Sequence, residues 1–539
     1  MGSAFADGFA IVSREKGVMT ADERISATHR GRLSLSRRGL LVAGGAMSLG
    51  LAGLPITMSR AGAQPAAERL VIDLATEPGS LDPATTYDTD GWSIIHSIYD
   101  SLLQYGENGE LEPLLAESFE LVDPLTYRVI LRDGIVFHNG EILNSEAIAF
   151  SLAHIIDEAT GSQVAGNFAV IERVEIVDDL TADLKLTAPA PWLPAQIAAW
   201  FVMLPPVYAS ENDFVANPVG TGPYKYSSRA PGDRIALTAY EDYFRGSPKG
   251  QPVARDVDFR FVADATTRVA DLLSGTADVV RNVPVDQIAA IESNGDRVVQ
   301  IPISGAAFVR IPTDIEPFNN PLVRQAMNYA VDVQSIVDAL LSGNGVPLAN
   351  VFVPNGLGYV SNLEPYPFDP ERARALLEEA GFPDGFETSL DATVTDRTDI
   401  VDAIAGQLAE VGIRTTVNRL ELALFNSGDY WLGTDSAAAP LRFLTWRPLF
   451  DPHTLLSLVF SNTGFLSRHD NPTIQALIDA FAVEADPATR SEIGQALGLA
   501  MHEEPAAIYL YSLTSLIGAR AGTPEWDARA DDYLIAASQ

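Results

Sequence analysis

The chain contains no cysteine among its 539 residues. This absence excludes disulfides, thiolate metal ligands, iron–sulfur clusters, cysteine nucleophiles and a lipid anchor attached through cysteine. Histidine is scarce, and none of the seven histidines has the HExxH spacing of a zinc enzyme: His29, His96, His138, His154, His453, His469 and His502. We therefore expect no metal site and no cofactor.

Positive charge is also in short supply. Lys and Arg total 36 against 71 Asp and Glu, so the formal net charge is −35 at pH 7. Such a surface repels phosphate backbones and anionic lipid headgroups, which argues against nucleic acid or a membrane surface as a partner. No apolar run beyond residue 63 is long enough to span a membrane. The hydrophobic fraction of 47% is typical of a globular chain, and the length predicts several domains.

Consecutive arginines precede a mildly apolar run near the start of the sequence. Arg37 and Arg38 stand before residues 40–56, and the small residues 61–63 follow. This order is typical of a twin-arginine export signal, which we predict over residues 1–63. The alternative is an uncleaved membrane anchor, although a run of about 17 residues is at the lower limit for a span. The export hypothesis makes the mature protein periplasmic, without a lipid anchor.

The rest of the chain alternates strand-like and helix-like segments. Residues 70–75 form an apolar run typical of a buried strand, and residues 127–131 and 182–186 alternate apolar and polar side chains. Residues 92–103 and 321–343 carry apolar residues at helical spacing. Strands interleaved with helices over this length predict an α/β fold with more than one sheet.

Helix starts are marked by Asx residues that stand before a periodic apolar face. Each of them can accept hydrogen bonds from the free N–H groups of a first turn, and four are followed by proline, which loses nothing at that position. These predicted N-caps are Asn144, Asn320, Asp369, Asn471 and Asp486. The Pro- and Gly-containing stretch at residues 217–223 and the segment from Pro312 to Pro317 indicate domain boundaries.

Catalytic signatures are missing from the sequence. There is no G-x-S-x-G elbow, no G-x-x-x-x-G-K-[ST] loop and no G-x-G-x-x-G fingerprint. Chance carboxylate pairs are expected in so acidic a chain, so they do not indicate a hydrolase. The strongest candidate is the segment from Trp446 to His453, called the site loop below, which combines aromatic, cationic, anionic and imidazole groups. It could line a pocket, or its tryptophan could fill the core while its charges face solvent.

Six motifs follow one another in an order that resembles one known family. They are E-P-G-S-L-D-P (77–83), Y-D-S-L-L (99–103), F-H-N-G (137–140), G-T-G-P-Y (220–224), V-R-Q-A (323–326) and the helical element at 366–381. Together they resemble the solute-binding proteins of ABC importers in the peptide/nickel class, the bacterial extracellular solute-binding proteins of family 5. The resemblance covers essentially the whole chain after residue 63.

This resemblance implies a two-lobed periplasmic-binding-protein fold of the class II type, α/β throughout, with an extra subdomain inserted in the first lobe. On this chain the first lobe would cover residues 64–312, with the insertion at about 111–217. The second lobe would cover 313–500, and residues 501–539 would return to the first lobe. The resemblance implies a non-enzymatic component, which we expect to be a monomer, that closes around a solute and delivers it to a membrane permease.

The resemblance also bears on the identity of the ligand. Peptide binders of the family carry an aspartate four residues before the proline of the Trp…Asp-Pro loop, and this chain has Pro448 there. Nickel binders carry a histidine twelve residues after that proline, where this chain has Gly464. Arg447 could hold a carboxylate bidentately. We therefore expect a peptide-like or other small organic solute, with a nickel-chelate binder and an exported carboxylate-based hydrolase as alternatives.

The candidate ligand-binding residues come from two regions of the sequence. We expect Asp451 to act mainly by holding the site loop in shape. The full set is Trp446, Arg447 and Asp451 from the site loop, with Thr76, Tyr87 and Trp92 from the first lobe.

Overall fold

The structure is a computed structural model that describes residues 67–106, 109–354, 356–425, 427, 430, 440–447, 450–527 and 529–538. The predicted export signal, residues 1–63, lies outside the described residues, and so does Pro448. No helix in the described ranges combines the length and the hydrophobicity that crossing a bilayer requires.

Strands account for much of the described chain, and the longest are β13 and β17. In chain order the strands are β1 (Ala67–Leu74), β2 (Leu103–Tyr105), β3 (Leu111–Pro113), β4 (Ala116–Asp123), β5 (Thr126–Leu131), β6 (Ile171–Ile176), β7 (Thr181–Leu186), β8 (Tyr224–Ala230), β9 (Arg234–Ala239), β10 (Gln251–Pro252), β11 (Ala254–Phe261), β12 (Val279–Arg281), β13 (Arg297–Arg310), β14 (Phe386–Thr393), β15 (Ile413–Leu420), β16 (Leu441–Trp446), β17 (Ala507–Ala519) and β18 (Ala537–Ser538).

Ten of these strands form one mixed sheet in the order β15-β14-β16-β13-β17-β12-β1-β11-β9-β8. Strand β1 pairs in parallel with β11 and β12, and β14 pairs in parallel with β15 and β16. Between these two parallel regions, β13 and β17 pair antiparallel over most of their length. A separate four-stranded sheet, in the order β4-β5-β7-β6, forms within the predicted insertion.

Helices connect the strands and cover the sheets. They are α1 (Thr89–Ile98), α2 (Ser145–Ile156), α3 (Leu193–Trp200), α4 (Pro206–Glu211), α5 (Ala265–Ser274), α6 (Ile288–Ser293), α7 (Pro321–Tyr329), α8 (Val333–Leu340), α9 (Pro370–Glu379), α10 (Thr398–Glu410), α11 (Leu422–Phe425), α12 (His453–Leu455), α13 (Pro472–Val483) and α14 (Pro487–Glu503). A π turn (Leu456–Phe460) extends α12.

All five predicted N-caps are confirmed by their hydrogen bonds. In each case the Asx side chain accepts a bond from a backbone N–H two or three residues later, at the start of α2, α7, α9, α13 or α14. The caps are recognisable from sequence because the interaction is local. The strands predicted at 70–75, 127–131 and 182–186 are also present, as β1, β5 and β7.

Two predicted helices have different bounds in the structure. The helix predicted over 92–103 ends at Ile98, and residues 103–105 pair as β2 with β3. The helix predicted to run to Gly343 is divided into α7 and α8, because Asp332 caps a new helix through the N–H of Ser335. In both places the apolar spacing continues past the end of the helix, so it could not show the break.

The hydrophobic core falls into separate clusters that define the two-lobed architecture. Ile72 and Phe259 lie in the first-lobe core, and Val323 and Ile404 lie in the second-lobe core. The small sheet has its own core with α2 and α3. Strands β13 and β17 belong to both lobes, since the first part of β13 lies in the first-lobe core and its last residues lie in the second. A shift in the β13–β17 register separates these parts at residues 302–306.

Candidate functional site

A cavity of about 740 Å³ lies between the ends of strands from the two lobes. One wall is formed by the chain after β1 and the start of α1, and the other by the ends of β14 and β16. The volume lies within the range of small-molecule sites, which are usually largely preformed clefts. The cavity is lined by Trp446, Arg447, Thr76 and Tyr87, four of the six residues named from the sequence.

The first wall is shaped by Asp90 in the first turn of α1. One carboxylate oxygen of Asp90 accepts hydrogen bonds from the backbone N–H groups of Ala75 and Thr76, each at 3.0 Å. Asp88 caps the same helix by accepting from the N–H of Gly91 at 2.7 Å. These local bonds turn the chain sharply after β1 and place Thr76 and Asp88 at the cavity.

Aromatic rings form the part of this wall next to the insertion. Tyr87 is 51% exposed and stacks on Trp200 with ring centroids 5.5 Å apart. Trp92 is placed differently from Tyr87, since it is fully buried and does not line the cavity. Its indole N–H donates to the carbonyl of Thr86 at 2.7 Å, so it supports the segment that carries Tyr87.

The second wall ends at Trp446 and Arg447, where β16 reaches the cavity. Trp446 is half-buried, and the side chain of Arg447 is 39% exposed. Nη1 of Arg447 lies 2.5 Å from a carboxylate oxygen of Asp532, a residue of the C-terminal segment. The guanidinium therefore has a fixed partner in Asp532, while part of the Arg447 side chain remains exposed at the cavity.

Asp532 links Arg447 to a second, fully buried arginine. Nη2 of Arg281 lies 2.6 Å from the same carboxylate, and Nη1 of Arg281 lies 3.4 Å from a carboxylate oxygen of Asp90. Burial by itself raises the pKa of Asp532, but the charges of Arg281 and Arg447 outweigh burial and lower it below its usual value. These ion pairs thus connect Asp90 on the first wall with Arg447 on the second.

Two further carboxylates line the cavity without an ion-pair partner among the described residues. They are Asp88 on the first wall and Asp396 on the second, where Asp396 accepts from the N–H of Thr393 at 2.7 Å. Burial raises the pKa of both carboxyls above the usual value for aspartate. A cationic group of a ligand would relieve the cost of burying these charges.

Asp451 does not line the main cavity, and its carboxylate is fully engaged within the protein. Its two oxygens accept from Nη1 and Nη2 of Arg490 at 2.6 and 3.0 Å, and one of them also accepts from the N–H of His453 at 3.0 Å. Both charged side chains are less than a tenth exposed. These bonds hold the end of the site loop at the start of α12.

The site loop also makes two aromatic contacts, one with β2 and one with the insertion. The ring of Phe450 lies 4.3 Å from that of Tyr105, centroid to centroid. The imidazole of His453 stacks on Trp192 at 4.4 Å and 8°. Burial lowers the pKa of His453 to about 4, so the stacked ring is neutral at physiological pH. No group of three or more potential metal ligands is found within the described part of the chain.

Sequence reasoning did not select several residues that build the site. These residues are the aromatic Trp200 and the charged Arg281, Asp396 and Asp532, which resemble many other aromatic and charged residues of the sequence. The sequence gives no signal that would single them out, because they reach the site from separate elements. Their role depends on which distant segments the sheet brings together.

A two-lobed α/β fold with a cavity lined by both lobes is the architecture of the periplasmic-binding-protein class, in which the lobes close around a ligand. The family model of the bacterial extracellular solute-binding proteins, family 5, matches residues 110–467. The chain belongs to this family, so the predicted solute-binding protein of ABC importers and the predicted fold class are confirmed.

Individual relatives support the same assignment. The glutathione-binding protein GsiB of Pectobacterium atrosepticum is 31% identical over 365 residues, which cover 66% of this chain and 70% of GsiB. Among solved structures, HbpA2 of Haemophilus parasuis is 26% identical with a TM-score of 0.72, over 84% of this chain and 96% of that one. AgaA of A. tumefaciens R10, solved with agropinic acid, is 26% identical with a TM-score of 0.70, over 84% and 94% of the two chains.

Proposed function

We propose that this protein captures a small peptide-like solute that carries both an ammonium and a carboxylate group. The main support for this proposal is that the two cavity walls present opposite charges, with Arg447 on the second wall and Asp88 on the first. A zwitterionic solute would pair its carboxylate with Arg447 and its ammonium with Asp88 or Asp396. The aromatic rings of Trp446 and Tyr87 supply the apolar contact surface.

The solute in this proposal is enclosed between the lobes and handed unchanged to an ABC permease. Contacts with both walls favour the closed state only by the difference in affinity between the closed and open forms. The name of one relative agrees with this ligand class, since GsiB is named for the tripeptide glutathione. We assign Trp446, Arg447, Thr76 and Tyr87 to ligand contact, and Asp451 and Trp92 to support of the two walls.

The proposal includes an export route and a lobe assignment. We propose that residues 1–63 direct twin-arginine export to the periplasm, where the mature chain acts as a monomer without a lipid anchor. Retention of an Arg37→Lys/Arg38→Lys variant in the cytoplasm would support this route, and normal export would contradict it.

The proposed first lobe covers residues 64–312, with an insertion at about 111–217. The proposed second lobe covers 313–500, and the chain returns to the first lobe at 501–539. The separate core clusters support this division except around β13 and β17, where residues 307–311 and 508–511 pack in the second-lobe core.

Isothermal titration calorimetry with glutathione and with trialanine tests the ligand class. Wild-type protein should bind at least one of them. Arg447→Ala should weaken binding at least about tenfold, the loss expected for a charge-assisted contact, and Trp446→Ala should weaken it through the loss of aromatic contact surface. Arg468→Ala is the matched control, because Arg468 pairs with Asp314 and is 37% exposed. Unchanged affinity in both site variants would remove these residues from the site. A cleaved peptide in the recovered solution would contradict binding without chemistry.

A further inference from the structure

A small side pocket of about 20 Å³ adjoins the main cavity. It shares Tyr87, Trp446 and Arg447 with the cavity and extends toward α3 of the insertion. The space slightly exceeds what one water molecule requires. The side pocket can therefore admit the terminal atoms of a ligand group but not a ring.

The side pocket contains a buried amide with no internal partner. Gln196 on α3 is 7% exposed and lines the side pocket. Its carboxamide has no hydrogen-bond partner within the described ranges. The hydroxyl of Tyr105, which also lines the side pocket, donates to the carbonyl of Ala195 at 3.0 Å instead. The amide atoms are not among the fully buried polar atoms of the described residues, so water or a ligand group in the pocket can supply the missing partner.

Two more polar side chains converge on the same space. Asn167 belongs to the 3-10 turn Ala165–Phe168, and Thr454 belongs to α12. Neither side chain has a hydrogen-bond partner in the part of the chain that the structure describes. The side pocket thus brings together an amide from α3, an amide from the turn and a hydroxyl from the second lobe.

The hydrogen-bond donors at the side pocket favour an anionic group. Arg447 can only donate hydrogen bonds, while Gln196, Asn167 and Thr454 can each donate as well. Asp451 also borders the side pocket, but its charge is compensated by Arg490, with contacts of 2.6 and 3.0 Å. Arg447 is likewise paired with Asp532, so a ligand atom in this space meets hydrogen-bond donors, one of them a partly exposed guanidinium.

We propose that the side pocket is a carboxylate subsite, in which Gln196, Asn167, Thr454 and Arg447 hold one carboxylate of the bound solute. The inference rests on the proposed function, because the rest of the solute would occupy the main cavity. The subsite selects among peptide-like solutes, since a carboxamide in place of the carboxylate loses the charge-assisted bond to Arg447.

Matched tripeptides test the subsite by calorimetry. One set is trialanine with glutamate at the first, second or third position, compared with the same peptides carrying glutamine. A fourth pair compares trialanine with its C-terminal amide. Wild-type protein should prefer the carboxylate member of at least one pair by about tenfold or more. Gln196→Leu and the isosteric Thr454→Val should each reduce that preference several-fold.

Controls separate the subsite from folding and from the proposed function. Gln334→Leu, on the exposed face of α8, should leave the preference unchanged. The melting temperature of each variant reports folding, and Thr454→Val decides the matter if Gln196→Leu does not fold. If the preference survives both variants, the subsite is wrong and the proposed function stands. If the peptides bind but no pair differs, the subsite and the carboxylate contact of Arg447 are both wrong, and only the capture of a peptide-like solute stands. If no tripeptide binds to wild-type protein, the proposed peptide-like ligand is wrong and the subsite inference fails with it.

Discussion

Nη1 of Arg447 lies 2.5 Å from a carboxylate oxygen of Asp532, 85 residues further along the chain. The same carboxylate is paired with the buried Arg281 at 2.6 Å. One aspartate therefore holds a cavity arginine from the second lobe and a core arginine from the first. The orientation of Arg447 is set by the C-terminal segment as well as by the site loop that carries it.

Replacing Asp532 should destabilise the protein strongly. Asp532→Asn would leave Arg281, whose side chain is 1% exposed, without its closest counter-charge. Breaking a buried ion pair on one side costs about 3–5 kcal/mol, which urea unfolding at pH 7 would measure. Asp314→Asn, which removes an exposed pair with Arg468, should cost less than about 1 kcal/mol. Equal losses in the two variants would contradict the role of the buried carboxylate.

The stability loss caused by Asp532→Asn should become smaller at acidic pH. The pKa of Asp532 is lowered in the folded protein, so its stabilising effect is present above the unfolded pKa, about 3.9, and is lost as the pH falls through the lower folded value. The difference in unfolding free energy between wild type and Asp532→Asn should therefore shrink as the pH falls below about 4. A difference independent of pH from 7 to 3 would show that the ionised carboxylate is not responsible.

Asp73 should show the opposite pH dependence. Its carboxyl lies on β1 with Arg260 and Asp271 nearby, and burial, which outweighs the charge of Arg260, raises its pKa to about 7. A raised pKa means that the stability present in acid is lost as the pH rises from about 4 through 7. Asp73→Asn mimics the protonated form and leaves the Arg260–Asp271 pair at 2.5 Å intact.

We therefore expect Asp73→Asn to match wild type at pH 4 and to exceed it at pH 8. Each pKa unit corresponds to about 1.4 kcal/mol, so a rise of about three units gives an expected gain of ~4 kcal/mol at pH 8. Chemical unfolding at the two pH values measures this gain. A variant that is less stable than wild type at pH 8 would show that the ionised carboxylate is stabilising and the assigned direction is wrong.

Gly109 should control the position of the site loop. A Cβ at this residue would lie 2.3 Å from a ring carbon of Phe450, and its φ of +87° already disfavours a side chain. Gly109→Ala should displace Phe450 from Tyr105 and weaken solute binding. Calorimetry with the best-binding tripeptide measures the effect, which should be several-fold.

Gly140→Ala is the matched control for this loop prediction. Its φ is +89° but no atom lies within 4 Å of the added Cβ, so it introduces similar backbone strain without the contact with Phe450. Each variant should lose about 1 kcal/mol or more of stability through the backbone. Only Gly109→Ala should change the affinity. An equal affinity in both variants would show that the contact between Phe450 and residue 109 does not position the loop.

Asp451 should stabilise the fold through its ion pair with Arg490 rather than contact the ligand. Asp451→Asn would remove the charge opposite a guanidinium that is 6% exposed, at a cost of about 3–5 kcal/mol in unfolding free energy. A second change, Arg490→Met, should recover part of that loss because no buried charge then remains. A double variant no more stable than Asp451→Asn would contradict this account of the pair.

Much of the fold was predictable because its signals are local. The five Asx caps act within three residues of the chain, and the apolar patterns of β1, β5 and β7 follow the strand period. The motif order also identified the family and the two-lobed fold. The bounds of α1 and α7 were not predictable, because the end of each helix depends on strand pairing or on a competing cap at Asp332.

The site divides in the same way between local and distant contributions. Trp446, Arg447, Thr76 and Tyr87 were selected from sequence and line the cavity, whereas Trp92 lies behind the wall. Gln196 and Asp532 have no local pattern that distinguishes them from other amides and acids.

The sequence by itself determined the chemical class of the chain: an acidic, cysteine-free α/β protein with capped helices and the motif order of a solute-binding family. Only the tertiary structure decided which charges are paired and which face the cavity. The physical reason is that pairing depends on distances across the ten-stranded sheet, as between Arg447 and Asp532, and on burial that leaves Gln196 without a partner.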